Sequence, residues 1–508
     1  MSTEPTPPRL RATTALPRLS AATAPPSPGG RVRPPAQGIV HLGLGNFHRA
    51  HQAVYAEAAL ARDDGDWGIL GVASRSAAVA EALRAQDLRY TVAEISPDGT
   101  RYTVPSVHTD AIVAARDPER VVAAIADAAT RIVSLTVTEN GYTYHPATKG
   151  LNLDHPDVRH DLAGGAPRST IGQIVRGLQR RLHTHGSPVT VLSCDNLNTN
   201  GEHTRRLVLE FAEHLPRGGD DNLTSWIAAS VAFPTTMVDR IVPATTDRHR
   251  LEVARDMGYE DQVPVVAEPF SMWILEDHFA AGRPAWEAGG AVFSDQVDRY
   301  EQLKVRLLNG THSLIAYLGA LSGAGTIPEA VSLSFVEAAA RQVLRREYLP
   351  SVEVPDGVDP AAYEEQLFVR WRNSALGHRT RQVGSDGSVK LRERIPHPAL
   401  RFRANGRMPD LLALTTAAYL SCLAPLDGFD PGPHAREMQD QARQWLTVLA
   451  AEAASGVDLA RRALADRRLL GDEVAGWDAF IARTGELVDV IRRHGPEAGA
   501  ADAMGGAR

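Results

Sequence analysis

Cysteine is almost absent from this chain of 508 residues, which contains only Cys194 and Cys422. Two cysteines cannot build a disulfide framework or, by themselves, a cysteine-rich metal site. Long hydrophobic runs are lacking too, because no segment reaches the roughly 18 to 20 apolar residues of a membrane span. The N-terminal region also has no continuous apolar stretch of the kind found in secretory signals. These absences predict a soluble, cytoplasmic protein.

A strong excess of one charge is missing as well. The formal net charge is -7, and no block of basic residues occurs. The composition therefore gives no reason to expect nucleic acid or an anionic membrane as a partner. The length allows two or more domains with a large buried core, as is typical of enzymes that act on small molecules.

Both ends of the chain have unusual compositions. Residues 1–37 contain nine prolines and few large apolar residues, a composition that offsets little of the entropy lost on ordering. We expect the first dozen residues to be disordered. The rest of this arm, which includes Leu16 and Leu19, is expected to lie extended on the following domain. The last dozen residues, rich in alanine and glycine, are expected to fray.

The first folded segment combines a short apolar strand, a glycine turn and a helix. Gly43 and Gly45 form the turn, and a helical pattern begins near Phe47. In dinucleotide-binding proteins this order lets the backbone approach a pyrophosphate at a helix N-terminus. His48 stands where the usual fingerprint has its third glycine. Taken alone, the motif is therefore equally consistent with a plain strand-to-helix turn.

The predicted second strand, residues 67–73, ends where many dinucleotide-binding proteins carry an acidic residue for the ribose 2′-hydroxyl. Here the strand is followed by Ser74 and Arg75. These side chains suit a 2′-phosphate at least as well as a hydroxyl, so the sequence leaves NAD and NADP open. Arg75 is equally consistent with an ordinary surface arginine.

Two further predicted strands, residues 132–139 and 188–196, also finish in polar residues. The first ends at Glu139 and the second at Asn196. Open parallel sheets bind their ligands at the carboxyl ends of the strands. The agreement among the strands therefore predicts a Rossmann-type dinucleotide-binding domain over residues 38–295.

From residue 296 onward the alternation of strand and helix stops. Helical periodicity predicts helices at residues 302–323, 328–348, 360–373, 409–423, 434–454 and 472–494. The expected fold class is α/β, with the Rossmann-type N-terminal domain followed by a mostly α-helical C-terminal domain over residues 296–508. The basic segment 372–403 is interpreted either as a solvated surface or as an anion-binding lip.

The helix that begins near Tyr300 carries several polar groups on one side. At 100° per residue, Glu301, Lys304 and His312 fall within an arc of about 80°. Asn309 lies on the flank of this arc. A solvent-facing surface is the common interpretation of such a pattern. Because the rest of the helix is strongly apolar, the alternative is that the polar face lines a cleft.

These side chains suit hydride transfer between a nicotinamide and a carbonyl group. Such a reaction needs a proton donor or acceptor and hydrogen-bond donors to the oxygen. Lys304 can be the acid/base, because burial lowers the pKa of an amine toward neutrality. Asn196 and Asn309 can donate amide N–H groups to the oxygen. His312 can orient the substrate, Glu301 can relay protons to solvent, and no step needs a metal ion.

An ordered set of motifs resembles the polyol-specific long-chain dehydrogenases, the mannitol dehydrogenase family, which includes mannitol 2-dehydrogenases and fructuronate reductases. The signature is Lys304-x4-Asn309-x2-His312. It is preceded, in the family's order, by GxGxFHRAHQ (Gly43–Gln52), TENGY (Thr138–Tyr142), CDNLxxNG (Cys194–Gly201), FPxTMVDRIVP (Phe233–Pro243) and EPFxxWxxED (Glu268–Asp277). The ordered set is far more specific than any single motif.

The resemblance implies a metal-independent NAD(P)-dependent dehydrogenase that is monomeric or weakly associated. It implies the catalytic roles given above for Lys304, Asn196, Asn309, His312 and Glu301. It also implies that Asp239 contacts substrate hydroxyls, although a local salt bridge with Arg240 is the other interpretation. The residues expected at the cofactor are Gly43, Gly45, Phe47, Ser74, Arg75 and Glu139.

The segment HRTxQxxxDGSxK bears on the choice of substrate. Mannitol dehydrogenases of the family place an arginine where this chain has Gln382, and the segment is closer to the fructuronate reductase branch. The substrate of that branch carries a carboxylate, which pairs well with cationic side chains. Arg379 and Lys390 are the candidates for this contact, with structural ion pairing as the alternative.

The sequence therefore predicts an NAD- or NADP-dependent oxidoreductase of carbohydrate metabolism that interconverts D-fructuronate and D-mannonate. The first alternative is the same chemistry on a neutral pair, such as D-fructose and D-mannitol or D-xylulose and D-arabinitol. A more distant alternative is a non-catalytic dinucleotide-binding sensor, which would not need an acid/base such as Lys304.

Overall fold

The computed structural model of the chain describes residues 16–26, 35–63, 65–145, 148–216 and 222–505. These residues form two compact units. The first unit takes its described residues from 1–94, 100–267 and 277–293, and the second from 95–99, 268–276 and 294–508. In the described ranges, no helix is both long and apolar enough to cross a membrane.

The first unit is built around a parallel sheet of six strands. In chain order these are β1 (Gln37–Leu42), β2 (Gly68–Ala73), β3 (His108–Val113), β4 (Ile132–Leu135), β5 (Val189–Ser193) and β6 (Val231–Ala232). They lie in the order β6-β5-β4-β1-β2-β3, and every neighbouring pair is parallel. In this Rossmann arrangement the strand order reverses between β1 and β4. The predicted Rossmann-type fold is confirmed.

The core of the first unit lies on this sheet. Strands β2, β4 and β5 are buried along their whole length, as expected for parallel strands covered on both faces. Val40, Val133 and Val191 belong to one cluster that includes Ile174 and Phe211 from the surrounding helices. The apolar runs of the sequence therefore become the central layer, and the polar residues that follow them lie at the carboxyl edge of the sheet.

Ten α-helices occur among the described residues of the first unit. They span Asn46–Ala50, Gln52–Arg62, Ala78–Ala85, Pro118–Ala126, Thr138–Gly141, Pro156–Leu162, Thr170–Thr184, Asn200–Glu213, Leu223–Ser230 and Asp247–Met257. Shorter strands in the same unit include Tyr144–His145, Gly150–Leu151, Thr236–Asp239 and Val265–Ala267. The strand predicted to end at Glu139 in fact ends at Leu135, and Glu139 lies in the short helix Thr138–Gly141.

The described part of the N-terminal arm, residues 16–26, lies on the first unit. Arg18 forms a parallel β-bridge with Glu260, and Leu19 is fully buried. The backbone N–H of Leu19 donates to the Glu260 carbonyl at 2.9 Å. Leu16 is 41% exposed, so the fully buried Leu19 is the apolar anchor of this segment. The predicted disorder of the first dozen residues lies outside the described residues.

The second unit is mostly α-helical, as expected. Its α-helices span Val297–Leu303, Thr311–Leu321, Ile327–Ser332, Ser334–Val343, Pro360–Trp371, Thr380–Gly384, Gly387–Arg394, Pro396–Ala404, Asp410–Leu423, Pro433–Arg436, Arg443–Glu452, Gly456–Ala465, Arg467–Ala475, Asp478–His494 and Pro496–Gly505. Every residue from Leu411 to Leu423 is buried, which makes Asp410–Leu423 the central helix of this core. Such all-round burial explains why that segment is apolar on every face.

The helix predicted at residues 302–323 is not a single α-helix. An α-helix ends at Leu303, a π-helical segment covers Lys304–Gly310, and a second α-helix covers Thr311–Leu321. A π-helix hydrogen-bonds i to i+5 and typically occurs as a short insertion at functional sites. The face calculated at 100° per residue is therefore wrong in detail for residues 304–310.

Other helix predictions were wrong at their interruptions. The pattern at 328–348 is broken at Leu333 and ends in a second π-helical segment, Leu344–Tyr348. The basic segment 372–403, for which no helix was predicted, contains three short helices. The expected fraying of the last dozen residues is also wrong for residues 497–505, because they belong to a helix that buries Ala500 and Ala503.

Candidate active site

The glycine turn after β1 is built for a close backbone approach. The N–H of Gly43 donates to the Val72 carbonyl at 2.9 Å. Gly43 has φ +109°, and a Cβ on it would lie 2.1 Å from the Thr136 carbonyl oxygen, so a larger residue does not fit. A Cβ on Gly45 would have no neighbour closer than 3.8 Å. The position next to Gly45, directly before the helix containing Phe47, is therefore open enough for a ligand to approach the backbone closely.

His48 stands at the position of the fingerprint's third glycine and packs the helix on the sheet in a different way. Its ring stacks on His41 of β1, with centroids 3.5 Å apart, and its Nε2 lies 3.1 Å from Nε2 of His108. Burial lowers the pKa of His41 and that of His108 to about 3, and it lowers the pKa of His48 well below its usual value. These neutral, flat rings allow the helix to pack closely on the strand, which is the usual role of the glycine.

A cavity of about 460 Å³ opens at the carboxyl ends of β2 and β3. Its lining includes Ser74, Arg75, Asp157, His160 and Arg168. The Arg75 side chain is 82% exposed, and its Nη2 lies 3.2 Å from Asp157 Oδ2. In this fold the ribose next to the adenine lies beyond the second strand. Within the first unit, Ser74 and Arg75 therefore line a cavity in that region.

Asp195, at the end of β5, organises the neighbouring end of β4. Its carboxylate accepts hydrogen bonds from the N–H groups of Val137 and Thr138 at 3.0 and 2.9 Å and from the Tyr142 hydroxyl at 2.8 Å. Burial raises the pKa of this carboxyl, and the three donors act in the opposite direction. Asp195 thus holds the TENGY segment in place, while the adjacent Asn196 is exposed on this unit.

Asp239 and Arg240 are both buried in the first unit. The Arg240 guanidinium forms a 2.5 Å ion pair with Glu94, and Glu94 also pairs with Arg101. Arg240 further donates to the Ala50 carbonyl. Arg240 therefore has structural partners other than Asp239. A salt bridge between Asp239 and Arg240 alone does not explain why the two residues occur side by side.

In the second unit the π-helical segment begins at Lys304. Lys304 and His312 are each only 8% exposed, so the solvent-facing interpretation of this helix does not hold for them. Asn309 and Glu301 are half-buried. Gly310 ends the segment, and a Cβ on it would lie 2.4 Å from the Tyr348 ring. The glycine therefore permits close packing between the two π-helical segments of this unit.

His312 has a buried atom that is available to a ligand. Its Nε2 has no hydrogen-bond partner among the described residues. The ring lies 5.1 Å from the ring of His378 and 6.1 Å from that of Trp371. Burial, followed by the positive charges around it, lowers the pKa of His312 well below its usual value. The imidazole is therefore neutral at pH 7, and an orphaned ring nitrogen in such a place suits a substrate hydroxyl.

Positive charge surrounds His312 in the second unit. Lys390 Nζ donates to the backbone carbonyls of Ser385 at 2.6 Å and Val383 at 3.3 Å. Burial, followed by the charge of Arg394, lowers the pKa of Lys390. Throughout the described chain no carboxylate lies within ion-pairing distance of Lys390 or Arg394. This cationic pair, Lys390 and Arg394, forms no ion pair within the described ranges, although the more distant carboxylates of Asp386 and Asp440 act on Lys390 and that of Glu393 acts on Arg394.

Two other residues of the basic segment lie on the surface of the second unit. Arg379 and Gln382 are both exposed. Arg379 forms a backbone β-bridge with Thr326 and precedes the helix Thr380–Gly384. Among the substrate-binding predictions, Lys390 therefore lies in the charged surroundings of His312, whereas Arg379 is anchored through its backbone.

Sequence reasoning missed His378 and Arg394 as neighbours of the signature. One compositional signal was available for the lysines: the 54 basic residues include only Lys149, Lys304 and Lys390 as lysines. A guanidinium stays protonated, whereas a lysine amine can lose its proton near neutral pH when its site favours this. Lysine at positions 304 and 390 of such an arginine-rich chain is consistent with a need for an amine there.

In the described parts of both units, no three His, Cys, Asp or Glu side chains are arranged to hold a metal ion. The polar groups brought together around His312 are instead those of acid/base and hydrogen-bonding chemistry. In the first unit, the glycine turn follows β1, and the cavity lined by Ser74 and Arg75 lies beyond β2 and β3.

Comparison with known proteins identifies a matching family domain for each of the two units. Residues 37–288 match the mannitol dehydrogenase Rossmann domain, and residues 296–489 match the mannitol dehydrogenase C-terminal domain. D-mannonate oxidoreductase of Escherichia coli (strain K12) is 41% identical over 387 residues, covering 75% of this chain and 79% of that protein. Mannitol 2-dehydrogenase of Cereibacter sphaeroides is 41% identical over 418 residues, covering 80% and 86%.

A solved structure is similar over nearly the whole chain. It is the ternary complex of Pseudomonas fluorescens mannitol 2-dehydrogenase with NAD and D-mannitol, with a TM-score of 0.81 and 32% identity, covering 96% of this chain and 100% of that one. The resemblance predicted from the ordered motifs is thus confirmed. The chain belongs to the mannitol dehydrogenase family of oxidoreductases, which act on CH–OH groups.

Proposed function

We propose that this oxidoreductase interconverts a keto-sugar acid and its aldonate, with D-fructuronate and D-mannonate as the pair. The observation that carries the proposal is the cationic pair Lys390 and Arg394 near His312. Both side chains are partly buried, and neither forms an ion pair within the described residues. A substrate carboxylate would supply a negative charge that pairs with them directly.

The proposed reaction adds a hydride and a proton across the substrate ketone, or removes them in the reverse direction. When bound, the nicotinamide supplies or accepts the hydride. Lys304 donates the proton to the developing alkoxide oxygen and takes it back in the oxidation. Asn196 and Asn309 donate amide N–H bonds to the same oxygen.

Two further residues complete the proposed chemistry. The neutral His312 offers its buried Nε2 to a substrate hydroxyl, which fixes the sugar chain relative to Lys304. Glu301, one helical turn before Lys304, exchanges the proton with solvent. Asp239 is proposed to accept hydrogen bonds from other substrate hydroxyls.

The substrate proposal predicts a clear preference in a matched panel. With NADH, kcat/KM for D-fructuronate should exceed that for D-fructose by about 10- to 100-fold, since a hydrogen bond to a charged group contributes roughly 1.5–3 kcal/mol. D-Tagaturonate, which shares the carboxylate, tests the stereochemistry of the hydroxyls. Initial rates of NADH oxidation give the three values.

Two variants locate the cause of the preference. Lys390→Met should raise KM for D-fructuronate far more than KM for D-fructose. Arg392→Met removes an exposed charge from the same helix and should leave the ratio unchanged. A higher kcat/KM for D-fructose than for the two uronates would reject the sugar-acid proposal and favour the neutral pair. The similarity to mannitol 2-dehydrogenases keeps that pair as the second candidate.

For the cofactor, we propose that NAD is used and that NADP is accepted as well. No acidic side chain follows β2 directly. The cavity there is lined by Arg75, Arg168 and Ser74, which can donate hydrogen bonds to a 2′-phosphate. Asp157 already pairs with Arg75, so that its carboxylate is partly neutralised and repels such a phosphate less.

Replacing Arg75 by serine should change the ratio of the two cofactors. We expect kcat/KM for NADPH to fall about tenfold or more, because a charge-assisted hydrogen bond is lost, while the value for NADH changes little. Arg62→Ser, an exposed arginine of the same unit, is the matched control. Equal losses with NADH and NADPH would show that Arg75 does not recognise a 2′-phosphate.

A further inference from the structure

The carbonyl oxygen of Asn309 accepts hydrogen bonds from two side chains. Nη1 of Arg394 donates to it at 3.0 Å, and the Ser313 hydroxyl donates to it at 3.2 Å. The same Nη1 donates to the Ser313 hydroxyl oxygen at 2.7 Å. One guanidinium nitrogen thus uses its two hydrogens to join the backbone of Asn309 to the next turn of the helix.

This contact lies where the helix changes its hydrogen-bond register. Asn309 is in the last turn of the π-helical segment Lys304–Gly310, and Ser313 is in the first turn of the α-helix Thr311–Leu321. A π-helical insertion is less regular than an α-helix, and donors from outside the backbone ladder stabilise such places. Arg394 is the charged donor that fixes the carbonyl at this change.

Two buried tyrosines lie near Arg394. This arginine ends the helix Gly387–Arg394, and the phenol groups of Tyr317 and Tyr348 lie in its electrostatic surroundings. Tyr348 packs against Gly310, which has no Cβ to obstruct the ring. Ser313 is buried. A half-buried arginine that donates to a backbone carbonyl and to a buried hydroxyl is suited to positioning rather than to general surface solubility.

We propose that Arg394 is a positioning residue that fixes Asn309 for transition-state stabilisation. The proposal rests on the function proposed above, in which the Asn309 amide polarises the substrate carbonyl. Arg394 acts here through Nη1 on the backbone of Asn309, with Ser313 as its partner, and this positioning role is additional to the attraction of its charge for a substrate carboxylate. A displacement of about 1 Å in a catalytic group can cost about 10²-fold in rate.

A double-mutant cycle tests the proposal. Arg394→Ala should lower kcat about 10²-fold with little change in KM for NADH, and added guanidinium should restore part of the loss. Arg394→Lys, which keeps the charge and donors, should retain more activity than Arg394→Ala. In the Asn309→Ala background, Arg394→Ala should have less than about a twofold further effect, because both changes remove one contribution. Arg392→Ala, on the same helix, is the matched charge-loss control.

Three outcomes overturn the proposal. The first is an equal rate loss from Arg394→Ala in both backgrounds. The second is a lowered melting temperature with kcat intact, and the third is a wild-type kcat for Asn309→Ala. If Arg394→Ala does not fold, Ser313→Ala provides the cycle instead, with a smaller expected loss that again disappears in the Asn309→Ala background. Turnover of the wild-type enzyme on the substrate panel decides the reaction itself independently of this coupling.

Discussion

Replacing Lys304 by alanine should lower kcat about 10²- to 10⁴-fold, the usual contribution of a positioned general acid/base. The side chain is buried on the π-helical segment and belongs to the same unit as His312, whose neutral imidazole cannot replace an ammonium acid at pH 7. Protein folding and NADH binding should persist, because Lys304 belongs to the second unit, whereas the Rossmann-type sheet belongs to the first. Steady-state NADH oxidation and a fluorescence titration of NADH binding measure the two properties.

Lys304→Arg separates proton transfer from positive charge. Arginine keeps the charge but does not release its proton, so this variant should be nearly as inactive as Lys304→Ala. Lys149→Ala removes the exposed lysine of the first unit and should retain wild-type kcat. Substantial activity in Lys304→Arg would rule out proton transfer by Lys304 and leave only an electrostatic role for it.

The parallel sheet was predictable because the ends of three separate strands carry glycine or polar residues of the same kind. Glycine after β1 and polar residues after β4 and β5 all mark the carboxyl edge of a parallel sheet. In a chain of this composition, the short apolar runs that precede these ends are best explained as buried strands. The packing of His48 was not predictable, since its stack on His41 and its contact with His108 join three separate elements.

The helical unit was predictable in class but not in its interruptions. Hydrophobic periodicity continues through Leu333 and Trp477, where the backbone leaves the helix. Periodicity records which side chains are buried, and buried side chains also occur at a break. The π-helical segment at Lys304 escapes detection for a similar reason, because one displaced hydrogen bond hardly changes a pattern averaged over several turns.

The basic segment shows how charge can hide both structure and function. Its arginines and single lysine suggested either a solvated surface or an anion-binding lip, and Lys390 and Arg394 are in fact half-buried and donate to backbone carbonyls. The signature residues Lys304, Asn309 and His312 were found because they share one short helical stretch. Arg394 is 85 positions from Asn309, and only tertiary packing brings them into contact.

Breaking the buried ion pair between Arg370 and Glu268 should be the largest single loss of stability in the second unit. Arg370 binds the carboxylate in a bidentate manner, Nε to Oε2 at 3.0 Å and Nη2 to Oε1 at 2.8 Å. The two side chains are only 4% and 1% exposed, and Phe270 lies 4.1 Å from the guanidinium carbon. The pair ties the segment Glu268–Glu276 to the helix Pro360–Trp371 within this unit.

Arg370→Leu should lower the free energy of unfolding by about 3–5 kcal/mol, because it removes the bidentate partner of a buried carboxylate. The double variant Glu268→Leu/Arg370→Leu should recover much of this loss, since no charge of the pair then remains buried. Arg372 lies two residues after Arg370 and forms a more exposed ion pair with Glu337. Arg372→Leu breaks this pair and should lower the free energy of unfolding by only about 0–1 kcal/mol. Urea unfolding followed by circular dichroism gives all three values. An equal cost for Arg370→Leu and Arg372→Leu would contradict the prediction, because it would mean that the buried pair contributes no more to stability than the exposed one.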